Sequence, residues 1–383
     1  MVVVTGARQT GKSTLVRQLG PRWTYLTLDD VETLDRAQRE PDALLRPEHL
    51  IIDEVQRSPD LLLAIKRAVD ARRTPGRFLL TGSANLLLMQ RVAETLAGRV
   101  HHLSLWPLTR REQLGLGTAG LWSRLFSAPA STWPALLAAS KPSSEDWVAL
   151  ARRGGYPTPA HAMTSVEERR LWFAGYTQTY FERDLRDLSA VASLADFRRL
   201  MRAVCLRIGN LANQTEVGRD CGIPQPTVNR HLSLMETSYQ LLRVPAYSVN
   251  RTKRLIKAPK LYWSDTGLAL FLAGEERPRG AHLENLVLCD LFAWRAGEIE
   301  APEILYWRTA AGEEVDFVVE WHGRLLPIEV KSSERPKLAD ARGLRSFRAD
   351  YAKSTLPGLL LHDGEEITWL ADGILAAPWW KVM

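Results

Sequence analysis

The octapeptide Gly6–Ser13 constrains this chain more than any other segment. It reads Gly-Ala-Arg-Gln-Thr-Gly-Lys-Ser and fits the pattern G-x-x-x-x-G-K-[ST]. It follows the β-branched run Val2–Thr5 and precedes a stretch of helical character from Thr14 to Leu19. A glycine-rich turn between a strand and a helix directs backbone N–H groups and the helix N-terminus at an anion. The segment therefore predicts a phosphate-binding P-loop at the start of an α/β domain.

The same loop predicts ATP and Mg²⁺ as cofactors. Lys12 is expected to reach the β- and γ-phosphates, and the Ser13 hydroxyl is expected to contact Mg²⁺. A loop that binds nucleotide without hydrolysing it is the alternative. The predicted nucleotide-binding residues are Gly6, Ala7, Arg8, Gln9, Thr10, Gly11, Lys12, Ser13 and Thr14.

Three further apolar runs lack polar alternation, namely Leu50–Ile52, Phe78–Leu80 and Val100–Leu105. Such runs are typical of buried parallel strands joined by helical crossovers. Asp53 and Glu54 follow the first run. Asp53 is expected to supply a second magnesium contact, and Glu54 to orient or deprotonate the attacking water.

Three more residues are candidates for the ATP site. Thr81 and Ser83, at the tip of the next strand, could sense the γ-phosphate by hydrogen bonding. Arg99 stands just before the following strand, where an arginine can reach the nucleotide of a neighbouring subunit in a homo-oligomer. The alternative for Arg99 is a surface arginine that caps a helix C-terminus.

Residues 196–272 favour a helix-turn-helix followed by a basic hairpin, which together make a winged helix. The third helix begins at Pro226 and is expected to turn His231 outward beside its polar residues. A net charge of +6 and a pI of about 9.3 permit DNA binding. A protein-interaction or lid module is the alternative. The predicted DNA contacts are Thr227, Asn229 and Arg230 on the helix and Arg251, Lys253 and Arg254 on the hairpin tip.

Near the C-terminus, acidic residues and a lysine follow a recognisable order. Glu284 lies on a predicted helix, Asp316 within a strand, and Glu329 and Lys331 two apart on the next strand. The order resembles the PD-(D/E)xK nuclease core. In such a core Asp316 and Glu329, completed by Glu284, could hold Mg²⁺, and Lys331 could position water. A solvated ion-pair cluster, or a scaffold that does not cleave, is the alternative.

Five segments together resemble a group of prokaryotic AAA-type ATPases with a C-terminal domain of unknown function, number 4143. They are Gly6–Ser13, Ile51–Gln56, Leu80–Ser83, Leu96–Arg99 and Gly154–Pro157. The resemblance covers nearly the whole chain and implies an AAA core, a helical lid, a winged helix and a nuclease-like domain. Family members usually carry a leading segment that helps to enclose adenine. This chain begins at the first strand, so weaker nucleotide affinity is expected.

The overall prediction is an α/β protein with a parallel-sheet P-loop core. Absence of a long apolar stretch and three distant cysteines favour a cytoplasmic protein without membrane association. The leading function is an ATP-driven machine that acts on DNA. The alternatives are a nucleotide-gated protein-interaction switch and a metal-dependent nuclease of a defence or mobile-element system. The predicted segments are the core 1–108, the lid and linker 109–190, the winged helix 191–275 and the nuclease-like domain 276–383.

Overall fold

The computed structural model describes residues 1–82, 96–117, 120–141, 143–179 and 193–383. The chain divides into two compact units. The first includes Met1–Pro107, the end of the helix Val166–Thr179 from Ala174 onward, and Ser233–Gln240. The second includes Leu108–Phe173, Ser193–Leu232 and Leu241–Met383.

A five-stranded, wholly parallel sheet forms the centre of the first unit. Its strands are β1 Val2–Thr5, β2 Thr24–Thr27, β3 Leu50–Asp53, β4 Phe78–Thr81 and β5 His101–Ser104. They lie in the order β2-β3-β4-β1-β5. The parallel α/β core is therefore confirmed. Strand β2 was missed because it is a half-exposed edge strand with the sequence Thr-Tyr-Leu-Thr, which carries no apolar run.

The central strands are apolar on both sides because both faces of the sheet are covered. Val3, Ile52 and Leu80 join a large apolar cluster, whereas Val4 and Ile51 join a smaller one on the other face. The helices of this unit are Lys12–Arg17, Val31–Arg39, Pro41–Leu44 and Leu61–Ala71, with a 3₁₀ turn at Val55–Arg57.

The second unit contains two sheets. Strands β6 Leu241–Val244 and β7 Lys260–Trp263 form an antiparallel pair. The other strands are β8 Glu303–Arg308, β9 Glu314–Trp321, β10 Arg324–Val330, β11 Gly358–His362, β12 Thr368–Ala371 and β13 Ile374–Pro378. They form a mixed sheet in the order β12-β13-β11-β10-β9-β8. The chain runs antiparallel from β8 through β10, and parallel from β10 through β11 to β13.

The segment expected to form the ATPase lid groups with the second unit as far as Phe173. Trp122 and Trp133 in this segment are fully buried. The Trp122 indole donates to Asp290 at 2.6 Å, and Leu121 N–H donates to the carbonyl of Val382 at 2.9 Å. The segment thus packs against the C-terminal part of the chain. Its helices are Arg110–Gln113, Trp122–Ser127, Trp133–Ala138, Trp147–Arg153 and Val166–Thr179, with a 3₁₀ turn at Ala130–Thr132 and a π turn at Thr158–Ala162.

The Gly-Gly-Tyr-Pro motif has a structural partner in Asp265. Gly155 N–H donates to Asp265 at 2.6 Å, and the other carboxylate oxygen accepts from Leu268 N–H, which caps the helix Thr266–Ala273. Gly154 has a φ of +70°, and a Cβ there would come within 2.5 Å of the Asp265 carboxylate. The motif therefore serves packing within the second unit.

Three helices and a two-stranded sheet follow in the order predicted for a winged helix. The connection between β6 and β7 differs from the prediction: Arg251–Ile256 forms a helix rather than a hairpin tip. Asn250 favours this helix because its side chain accepts from Thr252 N–H at 3.0 Å. The remaining helices that begin in the unit are Leu194–Leu206, Gln214–Cys221, Gln225–Thr237, Gly280–Gly297, Arg342–Asp350 and Trp379–Val382, with a 3₁₀ turn at Leu338–Ala341. The helix Gln225–Thr237 belongs to the first unit from Ser233 onward.

Within the described part of the chain, no helix combines the length and the apolar character needed to span a bilayer.

Candidate functional site

The P-loop, Asp53, Glu54 and Thr81 lie at one edge of the parallel sheet, whereas Arg99 precedes β5 and lies at the opposite edge. The P-loop follows β1, Asp53 ends β3 and Thr81 ends β4. The carboxyl ends of parallel strands lie at the same edge, where ligands of open α/β sheets bind. Strand β1 lies between β4 and β5: the connection from β1 leads to β2 on one side of it, and the connection from β4 leads to β5 on the other side. This edge is the candidate nucleotide site.

The P-loop backbone requires its glycines. Gly6 has a φ of +152° and Gly11 a φ of +92°, and a Cβ on Gly6 would lie 2.2 Å from the carbonyl oxygen of Leu105. Gln9, which is not a glycine, also has a positive φ of 60°. Strain of this kind persists only where the surrounding structure enforces it, and it concentrates at ligand-binding loops.

Lys12 is held inside the loop that it is predicted to serve. Its side chain is buried, and Nζ donates to the carbonyl oxygens of Gly6 at 3.1 Å and Ala7 at 2.6 Å. The Thr10 hydroxyl also donates to Ala7, at 2.9 Å. Hydrogen bonds to the loop backbone therefore hold the ammonium at the end of β1.

Asp53 is buried and fixed by two hydroxyl groups from neighbouring strands. Tyr25 on β2 donates to one carboxylate oxygen at 2.5 Å, and Thr81 on β4 donates to the other. Arg17 in turn donates to the Tyr25 hydroxyl at 3.0 Å. Thr81 thus engages Asp53, although we predicted a contact with phosphate, and Ser83 lies outside the described residues. Tyr25 was missed because no motif surrounds it.

Glu54 has a strained backbone and a perturbed carboxyl group. Its φ is +59°, in the left-handed region that non-glycine residues rarely adopt. Burial raises the pKa of Glu54, and a hydrogen bond donated by Gln56 opposes this increase. A raised carboxyl pKa and enforced strain are both properties of catalytic acids and bases.

Arg99 is engaged within its own chain. Nε and Nη2 donate to the two carboxylate oxygens of Asp70 at 2.7 and 3.0 Å, and Nη1 donates to the carbonyl of Ala97 at 3.0 Å. The Arg99 pair raises the pKa of the guanidinium and lowers the pKa of the Asp70 carboxyl. An intersubunit role would require this pair to open.

Tyr239 contacts the P-loop strand from a remote part of the sequence. Its hydroxyl lies 2.7 Å from the Thr5 hydroxyl and 3.3 Å from that of Ser104, and its ring packs edge-on against Trp106. Tyr239 lies just after the end of the helix Gln225–Thr237 and has a φ of +60°. Sequence patterns could not have identified this contact, since 234 residues separate Tyr239 from Thr5.

The third winged-helix segment exposes part of the predicted DNA-binding set. Asn229 and Arg230 are exposed and Thr227 is half-buried. The Asn229 side chain accepts from Gln214 at 3.3 Å. The outward placement of His231 was wrong: this residue is buried and packs edge-on against Phe197. Burial lowers the pKa of His231, so the ring favours its neutral form.

Arg254 corrects the prediction of a wholly exposed basic tip. Its guanidinium is 8% exposed and pairs with Glu303 at 2.5 Å and Glu320 at 2.7 Å. It therefore stabilises the second unit and does not face solvent. Arg251 and Lys253 are exposed on the same short helix.

The C-terminal residues of the nuclease-like pattern do come close together. The antiparallel register, which pairs Ile328 with Phe317, places Asp316 beside Glu329. Both acids are buried. Lys331 Nζ lies 2.6 Å from a Glu329 oxygen, and Val330 N–H donates to Asp316 at 3.0 Å.

Lys260 and Tyr262 of β7 also enter this cluster, and sequence analysis missed both. Lys260 is 97% buried, and its ammonium pairs with Glu314 and, at 3.3 Å, with Asp316. Tyr262 donates to Glu284 at 3.0 Å. Burial, followed by the charge of Asp316, raises the pKa of Glu284 and of Glu329 to about 8 each.

The predicted Mg²⁺ set Glu284, Asp316 and Glu329 does not fit a metal centre. Among the residues described, no group of three or more histidine, cysteine or acidic side chains is arranged to hold a metal ion. Lysine ammonium groups instead pair with Asp316 and Glu329.

Three protein-family models match successive parts of the chain. One described as an AAA domain matches residues 1–114. Two described as domains of unknown function, DUF8612 and DUF4143, match residues 144–279 and 279–382.

Three relatives by sequence are described as uncharacterized proteins. Proteins of Mycobacterium tuberculosis and Mycobacterium bovis are each 32% identical over 99% of this chain and 80% of their own length. A protein of Haemophilus influenzae is 20% identical over 97% of this chain and 94% of its length.

Two solved structures are similar at low TM-score. The RuvB Holliday junction branch migration motor of Thermotoga maritima is 18% identical, with 64% of this chain and 82% of that chain covered and a TM-score of 0.26. Protein VC1899 of Vibrio cholerae is 13% identical, with 98% and 93% covered and a TM-score of 0.20. Neither likeness supports an argument about function.

Proposed function

Because this chain belongs to the family of AAA-domain proteins with a C-terminal DUF4143 domain, we propose that it hydrolyses ATP with Mg²⁺. The observation that carries the proposal is the meeting of Lys12, Asp53 and Glu54 at one sheet edge, where a strained, glycine-dependent loop surrounds the first. The residues fit the ligand. The Ser13 hydroxyl and the Asp53 carboxylate are the oxygen donors that Mg²⁺ prefers, and the loop amides suit phosphate.

Each side chain then has a distinct task. Lys12 would exchange its bonds to the loop carbonyls for phosphate oxygens, and Asp53 would be held in place by Tyr25 and Thr81. Glu54 would orient the attacking water and accept its proton, for which a raised pKa is suited. When bound, Mg²⁺ would neutralise charge on the phosphates.

The decisive experiment separates binding from turnover. Lys12→Ala should lose ATP binding measured by isothermal titration, because Lys12 contacts phosphate in the ground state. Glu54→Gln should keep binding and stop phosphate release, since Glu54 acts on the water. Unchanged ATP affinity in Lys12→Ala would refute the site.

We further propose that the protein acts on DNA through the helix Gln225–Thr237. Asn229 and Arg230 are exposed there, as a helix that enters the major groove requires, and the net charge of the chain is +6. Each phosphate contact should contribute about 0.9 to the slope of log binding constant against log salt. Arg230→Ala and Arg251→Ala should each reduce this slope.

The DNA proposal is tested by fluorescence anisotropy across a salt series, together with ATP turnover with and without DNA. Arg170→Ala is the matched control, because Arg170 is an exposed arginine of the second unit outside the proposed surface. Equal slopes in wild type, Arg230→Ala and Arg170→Ala would refute DNA contact by the helix.

One observation favours the alternative of a protein-interaction switch. Leu255 and Ile256, on the same short helix as Arg251 and Lys253, are 87% and 78% exposed. Exposed apolar side chains beside cations are better suited to contact a protein partner than to contact a phosphate backbone. This function would be favoured if DNA leaves ATP turnover unchanged and if association with a protein partner does not depend on salt.

A role for Arg99 in a neighbouring subunit remains a proposal. If it acts there, mixing Arg99→Ala with Glu54→Gln chains should restore turnover, because each chain supplies what the other lacks. An inactive mixture, with turnover per chain independent of concentration, would contradict the role.

A further inference from the structure

We infer that Lys260 is a built-in cation that takes the place of a divalent metal in the C-terminal acidic cluster, so that removal of its ammonium converts the cluster into a metal site. The cluster is defined by Glu284, Glu314, Asp316, Glu329 and the two lysines 260 and 331. The inference goes beyond the proposed ATPase and does not depend on it.

The backbone fixes Lys260 at the cluster. Lys260 begins β7, where it pairs with Val244 on β6, and it also forms a bridge with Leu211. The adjacent Leu261 accepts from Gly209 N–H at 2.8 Å and donates to the carbonyl of Asn210 at 3.0 Å. With strand partners on both sides, the side chain of Lys260 has one direction to take. Its ammonium therefore reaches residues of β9, although Lys260 is not part of the nuclease-like sequence pattern.

The charges show why a metal and this ammonium compete. The Lys260 ammonium pairs with Glu314 and, at 3.3 Å, with Oδ1 of Asp316. A divalent ion would need the same carboxylate oxygens of Asp316 as ligands. Two cations within a few ångströms in a buried site repel each other strongly.

One carboxylate oxygen of the cluster is available as a ligand once the Lys260 ammonium is removed. Glu329 is 93% buried, and its Oε2 accepts no hydrogen bond from any described residue. Such an orphaned acceptor is rare, because a buried polar atom without a partner is costly. Asp316 is buried and pairs with Lys260, so removal of that ammonium leaves a buried carboxylate without this cation, and a divalent ion would offset the loss.

The test measures Mn²⁺ binding to the full chain without nucleotide, by electron paramagnetic resonance and by thermal unfolding. Lys260→Met should gain one Mn²⁺ site over wild type, and Asp316→Asn in that background should abolish it. Mn²⁺ at roughly 100 times its Kd should raise the midpoint of Lys260→Met by about 3–5 °C. Lys260→Arg is the matched control, since it keeps the charge and should gain no site.

Three results would overturn the inference. Wild type could hold a Mn²⁺ ion that Asp316→Asn removes, which would show that Lys260 does not exclude metal. A folded Lys260→Met could lack the additional site. If Lys260→Met does not fold, Lys260→Gln replaces it, and failure of both to fold in Mn²⁺ would show that no metal substitutes for the ammonium.

Discussion

The hydroxyl of Thr81 should matter for catalysis because of the carboxylate it holds. Thr81 is fully buried, and it donates to Asp53, the predicted magnesium ligand. Thr81→Val keeps the side-chain volume and removes the donor. A hydrogen bond to a charged group contributes about 1.5–3 kcal/mol. If this bond orients Asp53 in the transition state, kcat/KM for ATP should fall by about 10–150-fold, at about 1.4 kcal/mol per tenfold change.

The assay is steady-state phosphate release over a range of ATP concentrations, paired with urea unfolding of the same preparations. Thr81→Ser is the control because it keeps the hydroxyl and loses only a methyl group. Thr81→Val and Thr81→Ser should therefore differ in turnover. Equal kcat/KM in the two folded variants would refute the argument that Thr81 acts through Asp53.

Three other predictions concern single contacts. Arg254→Met should lower the free energy of unfolding by about 1–3 kcal/mol in urea titration, because Glu303 loses its pair with Arg254 and Glu320 keeps only the longer pair with Arg251; an unchanged midpoint would contradict this. Burial raises the pKa of Asp290 to about 6, so the stability that its protonation contributes is complete below about pH 4 and lost as pH rises through 6. Asp290→Asn keeps an acceptor for Trp122 and should flatten that decline in thermal midpoints measured between pH 4 and 7. Tyr239→Phe removes the hydroxyl beside Thr5 and should weaken ATP affinity in titration. Tyr351→Phe, at a residue of the second unit, is the control and should weaken it less.

The P-loop could be predicted from sequence because its determinants are adjacent in the chain. Gly6, Gly11 and Lys12 act through a local turn, and the strand before them is apolar because it is buried on both faces. Asp53 could be placed for a similar reason: it ends an apolar run, and parallel strands end at a common edge. No sequence pattern indicated the positive φ of Glu54.

The partners of these residues were beyond prediction because contact over long sequence separation has no local pattern. Tyr25 and Thr81 both reach Asp53 across 28 residues, and Tyr239 reaches Thr5 across 234. The basic tip was misread for the opposite reason. Its composition suggested exposure, whereas Arg254 is turned inward by Glu303 and Glu320, which lie far along the chain.

The P-loop, the parallel α/β core and the order of acidic residues near the C-terminus could be predicted from sequence, because each depends on residue type at short spacing. The partners of those acidic residues became visible only in the folded protein. Lys260 belongs to another sheet and precedes Asp316 by 56 residues in the chain. Its ammonium pairs with a carboxylate oxygen that a metal would need as a ligand. Charge compensation in a buried site depends on which cation lies within a few ångströms, and that distance is a property of the fold.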